Sequence, residues 1–225
     1  MSNSEGYFSS TLGKKWLMAV TGIILFLFVL GHMVGNLQLF MGGEQLNKYA
    51  YHLQSLGPFL WAFRAVLLFS VGVHIWAAVV VWLRNRSARP VKYRMFKPPG
   101  LDYAARTMVW TGPIVLAFIV LHIWQLTIRE KSMDFHLEGH AEALPNVYQA
   151  VVDAFSNPIY AGIYVIAMIV LAVHLYHGLW SLFQTFGWDH ARFGGLRRVF
   201  AVTFALFIGV VGVSLPLAVL AGVVK

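Results

Sequence analysis

Five long apolar runs dominate the pattern of hydrophobic and polar positions along the chain. They extend from Trp16 to Phe40, from Pro58 to Leu83, from Thr107 to Ile128, from Pro158 to Phe186 and from Val199 to Val224. Each run is long enough to cross a hydrocarbon core, which takes about 20 helical residues. The runs lack the alternation of barrel strands, and a helix satisfies its own backbone in lipid. The sequence therefore predicts an all-α integral membrane bundle of five transmembrane helices, as a single domain over residues 1–225.

The composition agrees with a chain that is surrounded largely by lipid. Hydrophobic residues make up 59% of the sequence and charged residues only 12%, whereas soluble domains carry about a quarter charged residues. One charge, Arg64, lies inside a predicted span, near enough to its start for the side chain to reach the membrane interface. The absence of cysteine excludes covalently attached haem, iron–sulfur clusters and thiolate-ligated haem on this chain.

The basic residues are divided unevenly between the two sides of the predicted bundle. Of the 17 lysines and arginines, 12 fall on the side of the N-terminus. These are Lys14, Lys15, Arg84, Arg86, Arg89, Lys92, Arg94, Lys97, Arg106, Arg192, Arg197 and Arg198. Because connections rich in Lys and Arg face the cytoplasm, we predict a cytoplasmic N-terminus and an external C-terminus. The basic face could also bind an acidic or nucleotide-bearing partner.

The two longest connections between the spans differ in character. Three prolines and a glycine in Arg84–Arg106 exclude a continuous helix there. In Arg129–Asn157, the spacing of apolar residues between Val147 and Phe155 predicts a short amphipathic helix on the outer surface. His136 and His140 are spaced to share a metal ion on a helix, but the glycine between them and the lack of a third ligand favour a solvated loop.

Four histidines lie inside the apolar runs, one in each of the first four. They are His32, His74, His122 and His174, and His177 follows one turn beyond the last. Polar, titratable side chains are costly within a membrane, so an intramembrane histidine indicates a functional site. Two pairs of imidazoles are what two haem irons need as axial ligands. The histidines therefore predict two haem groups held without covalent attachment.

Depth in the membrane sorts these histidines into two pairs. His32 and His122 lie roughly 25 Å from the cytoplasmic boundary at 1.5 Å per residue. His74 lies roughly 15 Å from it, and His174 and His177 lie at about 21 and 16 Å. Helices one and three thus provide an outer pair, and helices two and four provide an inner pair. Depth alone leaves both His174 and His177 open as the fourth ligand.

The stretches that carry these histidines resemble the one-polypeptide, two-haem cytochrome b subunit of succinate:quinone oxidoreductases, a group that includes the fumarate reductases. They read KKWLMAVTGIILFLFVLGHMVGNLQLF with GGEQLNKYAYHLQSLGP after it, VHIWAA, VLHIWQLT, PNVYQAVVDAFSNPIYAGIY and HLYHGLWSLFQTFGW. The last stretch is the most distinctive, and the ensemble covers nearly the whole chain in the right order.

The resemblance implies a membrane anchor that passes electrons and does not itself oxidise succinate. Such a subunit lies in the cytoplasmic membrane beneath a flavoprotein with covalent FAD and an iron–sulfur protein. Two haem b groups connect the clusters to a membrane quinone, often menaquinone. The family pattern implies His32 and His122 on the distal haem iron and His74 and His174 on the proximal one. It selects His174 because the ligand precedes a Gly-hydrophobic-aromatic triplet by four residues, and it leaves His177 to bond a propionate or a carbonyl.

Further roles implied by the resemblance concern the quinone and the haem propionates. If the quinone lies near the distal haem, the candidate residues are Asn36, Gln38, His52, Gln54 and Arg64. A quinone near the iron–sulfur partner would use residues at the cytoplasmic end instead. For the propionates of the inner haem, the candidate basic residues are Arg84 and Arg94.

One position departs from part of the family. Some menaquinol-oxidising fumarate reductases carry a glutamate two residues before the ligand on helix four, where this chain has Ala172. The departure favours the succinate-oxidising branch. The alternatives to this family are the cytochrome b subunit of another quinone-linked oxidoreductase, a proton-coupled transporter and a haem-free membrane anchor.

Overall fold

The computed structural model describes residues 6, 9–88, 103–129, 131–138 and 142–225. Within these residues the chain forms seven α-helices. They are α1 (Thr11–Asn36), α2 (Gly43–Ser55), α3 (Pro58–Ser87), α4 (Tyr103–Ile123), α5 (Val147–Ser156), α6 (Pro158–Thr185) and α7 (Gly194–Leu220). Short 3-10 helices cover Leu37–Met41 and Ala191–Phe193, and the end of α4 widens into a π-helical turn, Trp124–Ile128.

Five of these helices, α1, α3, α4, α6 and α7, are long and apolar enough to cross a membrane. The predicted all-α class and the five spans are therefore confirmed. The boundaries differ by up to five residues. The first helix begins at Thr11 instead of Trp16, and the last covers Gly194–Leu220 where 199–224 was predicted. The last helix starts five residues before the apolar run. Its first turns carry Arg197 and Arg198, and the run begins only after these two charged residues.

Close helix packing places α7 against α6 at small residues. A Cβ added at Gly212 would lie 2.5 Å from Sδ of Met168, and one added at Gly209 would lie 3.1 Å from Cβ of Ala172. Glycines at these two positions let the helix backbones approach closely, as small residues do in membrane bundles. The helix α1 packs in turn on α3, and α4 packs on α6. The large side chains on the remaining faces are exposed, as in a bundle whose outer surface meets lipid.

The end of the bundle at which α1 terminates is covered by α2 and α5, and is called the capped end below. Asn47 of α2 is 4% exposed and donates from Nδ2 to Oδ1 of Asn146, 3.0 Å away. Its own Oδ1 accepts from the backbone N–H of Tyr148 at 2.9 Å. The same Asn146 oxygen caps the start of α5 by accepting from the N–H of Gln149. Asn47 therefore joins the two covering helices through a buried network of hydrogen bonds.

The sequence predicted α5 but not α2. The short helix expected between Val147 and Phe155 is present, and its residues Val152, Ala154 and Phe155 are buried against the bundle. The helix α2 was missed because it has low hydrophobicity and begins at Gly43, directly after Gly42. Gly42 has φ +100°, a conformation that favours glycine and that separates α2 from the preceding 3-10 turn.

The opposite end of the bundle, called the basic end below, holds the start of α1 and the end of α3. Arg84 donates to the backbone oxygen of Ser9 at 2.9 Å and so ties these two termini together. Trp16 packs edge-to-face on Phe186, which brings the end of α6 to the same place. The predicted loop of the second connection lies largely in 89–102, outside the described residues, as does Arg94.

Candidate functional site

Two half-buried histidines face each other between α3 and α6. The ring centroids of His74 and His174 are 6.5 Å apart, and the ring planes are inclined by 57°. His74 lies in the middle of α3, and His174 lies in the second half of α6. The structure thus brings together the two residues that the sequence assigned to the inner pair.

A second pair of histidines faces each other between α1 and α4. The ring centroids of His32 and His122 are 5.6 Å apart, and their planes are nearly perpendicular at 89°. Phe28 stacks on His32, and Phe118 packs against His122. The pairing of helices one and three, predicted from depth, is therefore present in the structure.

Hydrogen bonds determine which nitrogen of His74 carries the proton. Its Nδ1 lies 3.1 Å from the carbonyl oxygen of Met18, which can only accept, so Nδ1 is the donor. Nδ1 also lies 3.3 Å from Oγ1 of Thr21, whose hydroxyl donates to the carbonyl of Leu17 at 2.7 Å. With its proton on Nδ1, the ring has a free lone pair on Nε2, the form in which a neutral imidazole binds a metal.

The other pair members with a described partner are also held through Nδ1. Oγ1 of Thr111 lies 3.3 Å from Nδ1 of His174, and the hydroxyl of Tyr164 lies 3.4 Å from Nδ1 of His122. Thr111 and Tyr164 are themselves buried, at 7% and 4% exposure. Contacts of this kind orient a metal-binding imidazole and leave Nε2 for the metal.

The separation of the rings fits a metal held between two imidazoles. Metal–nitrogen bonds to histidine are about 2 Å long, so two rings on opposite sides of one metal ion lie roughly 6 Å apart between centroids. The observed separations of 5.6 and 6.5 Å are close to this value. Among the described residues, no three His, Cys, Asp or Glu side chains converge on a common metal position. The donor set is therefore two imidazoles per pair, which suits the axial positions of a haem iron.

Three glycines next to the histidines in sequence lie exposed, with open space beside their helix backbones. A Cβ added at Gly31, Gly72 or Gly178 would meet no atom within 4 Å outside its own helix. Gly35 is different, because its Cβ would lie 2.6 Å from the hydroxyl of Tyr49. The first three positions thus have room for a planar group next to the helix backbone, whereas Gly35 serves the packing of α2 on the end of α1.

The five candidate quinone residues lie near the capped end but do not form one cluster of described contacts. Asn36 ends α1, and Gln38 in the following 3-10 turn accepts a hydrogen bond from Gln45 of α2. His52 and Gln54 are exposed on the last turns of α2. Arg64 lies near the start of α3 with its guanidinium 4.9 Å from the ring centroid of Trp61.

The remaining candidates lie outside the two histidine pairs. Arg84 binds the backbone of Ser9 at the basic end. His177 lies half-buried one turn beyond His174 on α6. His136 is exposed, whereas His140, its possible metal-binding partner, lies outside the described residues together with Arg94.

Several residues of the site could not be recognised in the sequence. Thr21, Thr111 and Tyr164 each contact a histidine that is 42 to 63 positions away in the chain. Arg197 is 7% exposed, pairs with Asp189 and lies with its guanidinium 5.4 Å from the ring centroid of Trp180. A hydroxyl inside an apolar run, or an arginine just before one, was the available signal, but it does not show which ring or carboxylate lies opposite.

Comparison with known proteins identifies a distant relative. The chain is 23% identical over 188 residues to the succinate dehydrogenase cytochrome b558 subunit of Bacillus subtilis (strain 168), which covers 82% of each protein. The resemblance to this type of subunit that the sequence indicated is thereby confirmed. No protein-family model matches the chain, and no solved structure matches it.

Proposed function

We propose that this chain, a distant relative of a succinate dehydrogenase cytochrome b subunit, is the membrane-anchoring cytochrome b subunit of a succinate:quinone oxidoreductase. The observation that carries the proposal is the presence of two opposed histidine pairs, 5.6 and 6.5 Å apart, on four different membrane helices. A transporter is disfavoured because no Asp or Glu lies within the five spans to relay protons with the histidines.

The proposed ligands are His32 and His122 for one haem b iron, and His74 and His174 for the other. When bound, the two haem groups supply one-electron redox centres spaced along the membrane normal. The chain fixes each imidazole on a rigid helix, so the ligand positions do not depend on mobile loops. The apolar side chains of the bundle exclude water, which lowers the local dielectric around the site.

His174 is proposed as the fourth ligand in preference to His177. Its ring faces that of His74, and its Nδ1 is held by Thr111 of the neighbouring helix. Both features are those of a metal-binding histidine with an ordered outer contact. His177 is proposed to bond a propionate or a carbonyl nearby.

The proposed orientation places the basic end in the cytoplasm and the capped end outside. The bundle gathers the termini of α1, α3 and α6 at the basic end, where Lys14, Lys15 and Arg84 lie. Positive residues favour the cytoplasmic side. We infer that the iron–sulfur and flavoprotein subunits bind this face in the cytoplasmic membrane, with FAD and the iron–sulfur clusters confined to them.

The electron acceptor is proposed to be a membrane quinone, with menaquinone as the first candidate. Succinate oxidation is favoured over menaquinol oxidation because position 172 is an alanine packed against Gly209, not a glutamate. Gly209 of α7 lies opposite Ala172, because a Cβ added at Gly209 would lie 3.1 Å from the Cβ of Ala172.

The proposal is tested on the complex purified from its native membranes with its partner subunits. The absorbance of b-type haem is recorded after addition of succinate and, in a parallel sample, of fumarate. Succinate is expected to reduce haem that dithionite also reduces, and fumarate is expected to leave it oxidised. Haem that dithionite reduces but succinate does not would assign the chain to another quinone-linked oxidoreductase. A preparation without haem would identify a haem-free anchor.

A further inference from the structure

A groove runs between α1 and α3 on the outer surface of the bundle, and is called the α1–α3 groove below. Its volume of about 610 Å³ is typical of small-molecule sites. The buried residues Thr21 and Ser70 line its floor, and the exposed rings of Phe69 and Trp76 form its walls. The other side chains that line it are apolar. Because α1 and α3 are both membrane helices, the groove opens to hydrocarbon and not to water.

The length of the groove matches one leaflet of a membrane. From Trp76 to Ala65 it extends over 11 residues of α3, about 16 Å at 1.5 Å per residue. Half of a hydrocarbon core that is about 30 Å thick measures about 15 Å. An acyl chain that enters the groove at Trp76 therefore has room over the whole depth of its own leaflet.

Positive charges lie at the Trp76 end of the groove. The ammonium of Lys14 lies 5.5 Å from the centroid of the Trp76 ring. Arg84 lies further toward the basic end, where its guanidinium donates to the hydroxyl of Thr11 at 3.5 Å. Arg84 follows Val73, a lining residue, by 11 positions, or three helical turns. Arg84 therefore lies on the face of α3 that lines the groove.

The depth of these charges is that of a phospholipid phosphate. Lys14 and Thr11 precede Leu17, where the groove begins on α1, by about 4.5 and 9 Å along the helix axis. The headgroup region adds about 5–7 Å to each side of the hydrocarbon core. A phosphate whose acyl chain occupies the groove thus lies between the ammonium of Lys14 and the guanidinium of Arg84.

We propose that the α1–α3 groove binds one anionic phospholipid, with an acyl chain along the groove and the phosphate at Lys14 and Arg84. A lipid tail gains little by exchanging the bilayer for an apolar groove, so the charge of the headgroup selects the lipid. Of the carboxylates in the described part of the chain, only Asp189 lies at the basic end, where it pairs with Arg197. The basic end therefore attracts a negative headgroup.

A chain bound in the groove covers the contact through which α1 orients His74. Thr21 lines the floor of the groove, and its Oγ1 lies 3.3 Å from Nδ1 of His74. Such a lipid site needs only the two membrane helices and is independent of the proposed function.

The experiment compares the binding of phosphatidylglycerol and of zwitterionic phosphatidylcholine, both with dioleoyl chains, to the purified complex in detergent. Native mass spectrometry counts the bound lipids at each lipid concentration. Ala65→Phe places a ring in the far end of the groove. Ala62→Phe is the matched control, because Ala62 is also exposed on α3 but does not line the groove. Thermal unfolding without added lipid should be the same in both variants, since neither position is buried.

A second pair of variants tests the headgroup. Arg84→Gln removes the charge and keeps a hydrogen-bond donor. Loss of one basic residue near the headgroup should weaken phosphatidylglycerol binding about fivefold and leave phosphatidylcholine binding unchanged. Arg86→Gln is the matched control, because Arg86 lies on the same last turn of α3 with its guanidinium 5.6 Å from the ring centroid of Trp82.

The wild type is expected to bind one phosphatidylglycerol more tightly than phosphatidylcholine. Ala65→Phe should bind it about tenfold more weakly, because the ring and the acyl chain cannot occupy the same space. The two control variants should bind as the wild type does. Equal affinity of the wild type for the two lipids, or unchanged phosphatidylglycerol affinity in Ala65→Phe, would overturn the proposal. So would a change of oligomeric state in Ala65→Phe, which would assign the groove to a second copy of the complex, or loss of haem with unchanged lipid binding in Arg84→Gln, which would assign Arg84 to a propionate.

Discussion

Oγ1 of Thr111 on α4 lies 3.3 Å from Nδ1 of His174 on α6, although α4 itself carries His122 of the other histidine pair. The same relationship recurs twice. Thr21 on α1, the helix of His32, contacts His74, and Tyr164 on α6, the helix of His174, contacts His122. Each of these rings is thus held by a helix that belongs to the opposite pair. The two pairs are therefore connected through shared helices: the contacts of the His74–His174 pair involve α1, α3, α4 and α6, and those of the His32–His122 pair involve α1, α4 and α6.

Thr111→Val removes the hydroxyl that holds His174. Without an acceptor for the Nδ1 proton, the imidazole becomes a weaker electron donor, so the oxidised iron is less stabilised. The midpoint potential of the haem on His74 and His174 is expected to rise by tens of millivolts, since about 59 mV corresponds to a tenfold change for one electron. A potentiometric titration followed by the haem absorbance measures this midpoint potential.

Thr21→Val is the matched control for this prediction. His74 keeps the carbonyl of Met18 as an acceptor at 3.1 Å, so the shift in potential should be clearly smaller. Equal shifts in the two variants, or no shift in Thr111→Val, would contradict the assigned hydrogen bonds.

Tyr164→Phe tests the outer contact of His122. The ring packs edge-to-face on Phe118 and Phe155, at 5.0 and 4.8 Å between centroids, and phenylalanine preserves this packing. Stability should change by about 1 kcal/mol or less. The potential of the haem on His32 and His122 should rise while that of the other haem stays constant. A shift confined to the other haem would reverse the proposed assignment.

Asn47→Ala removes the residue that joins α2 to α5. Two buried hydrogen bonds are lost and Asn146 is left with fewer donors, so we expect destabilisation of about 1–3 kcal/mol. Faster hydrogen exchange over 147–156, with little change in the membrane helices, is the expected signature. Gln45→Ala, on the exposed face of α2, should match the wild type. Equal rates of hydrogen exchange over 147–156 in the two variants would show that Asn47 does not hold the covering helices together.

Gly212→Ala tests the close approach of α7 to α6. The new Cβ would lie 2.5 Å from Sδ and 2.6 Å from Cγ of Met168, so the methionine or the helix must move. Overpacking of this kind costs about 1–3 kcal/mol. The unfolding temperature in detergent should fall, whereas Gly195→Ala, whose Cβ meets no atom within 4 Å, should not lower it. Equal unfolding temperatures for the two variants would contradict the packing.

The sequence predicted the membrane helices and the pairing of the histidines because both depend on patterns that extend along the chain. Apolar runs set the spans, and the distance of each histidine from the basic residues sets its depth. The contacts of Thr21, Thr111 and Tyr164 depend on how the helices are rotated against each other. Rotation is decided by close packing, such as that at Gly212, and one sequence does not reveal it. The helix α2 was missed because its apolar residues are few.

The central claim is that four histidines on four helices hold two haem groups, and the stoichiometry of haem b per chain tests it most directly. Pyridine haemochrome analysis of the purified complex should give two haem b per chain for the wild type. His32→Ala, His74→Ala, His122→Ala and His174→Ala should each retain at most one, while His177→Ala should retain two. One haem or none in the wild type, or full haem content in His74→Ala or His122→Ala, would contradict the account.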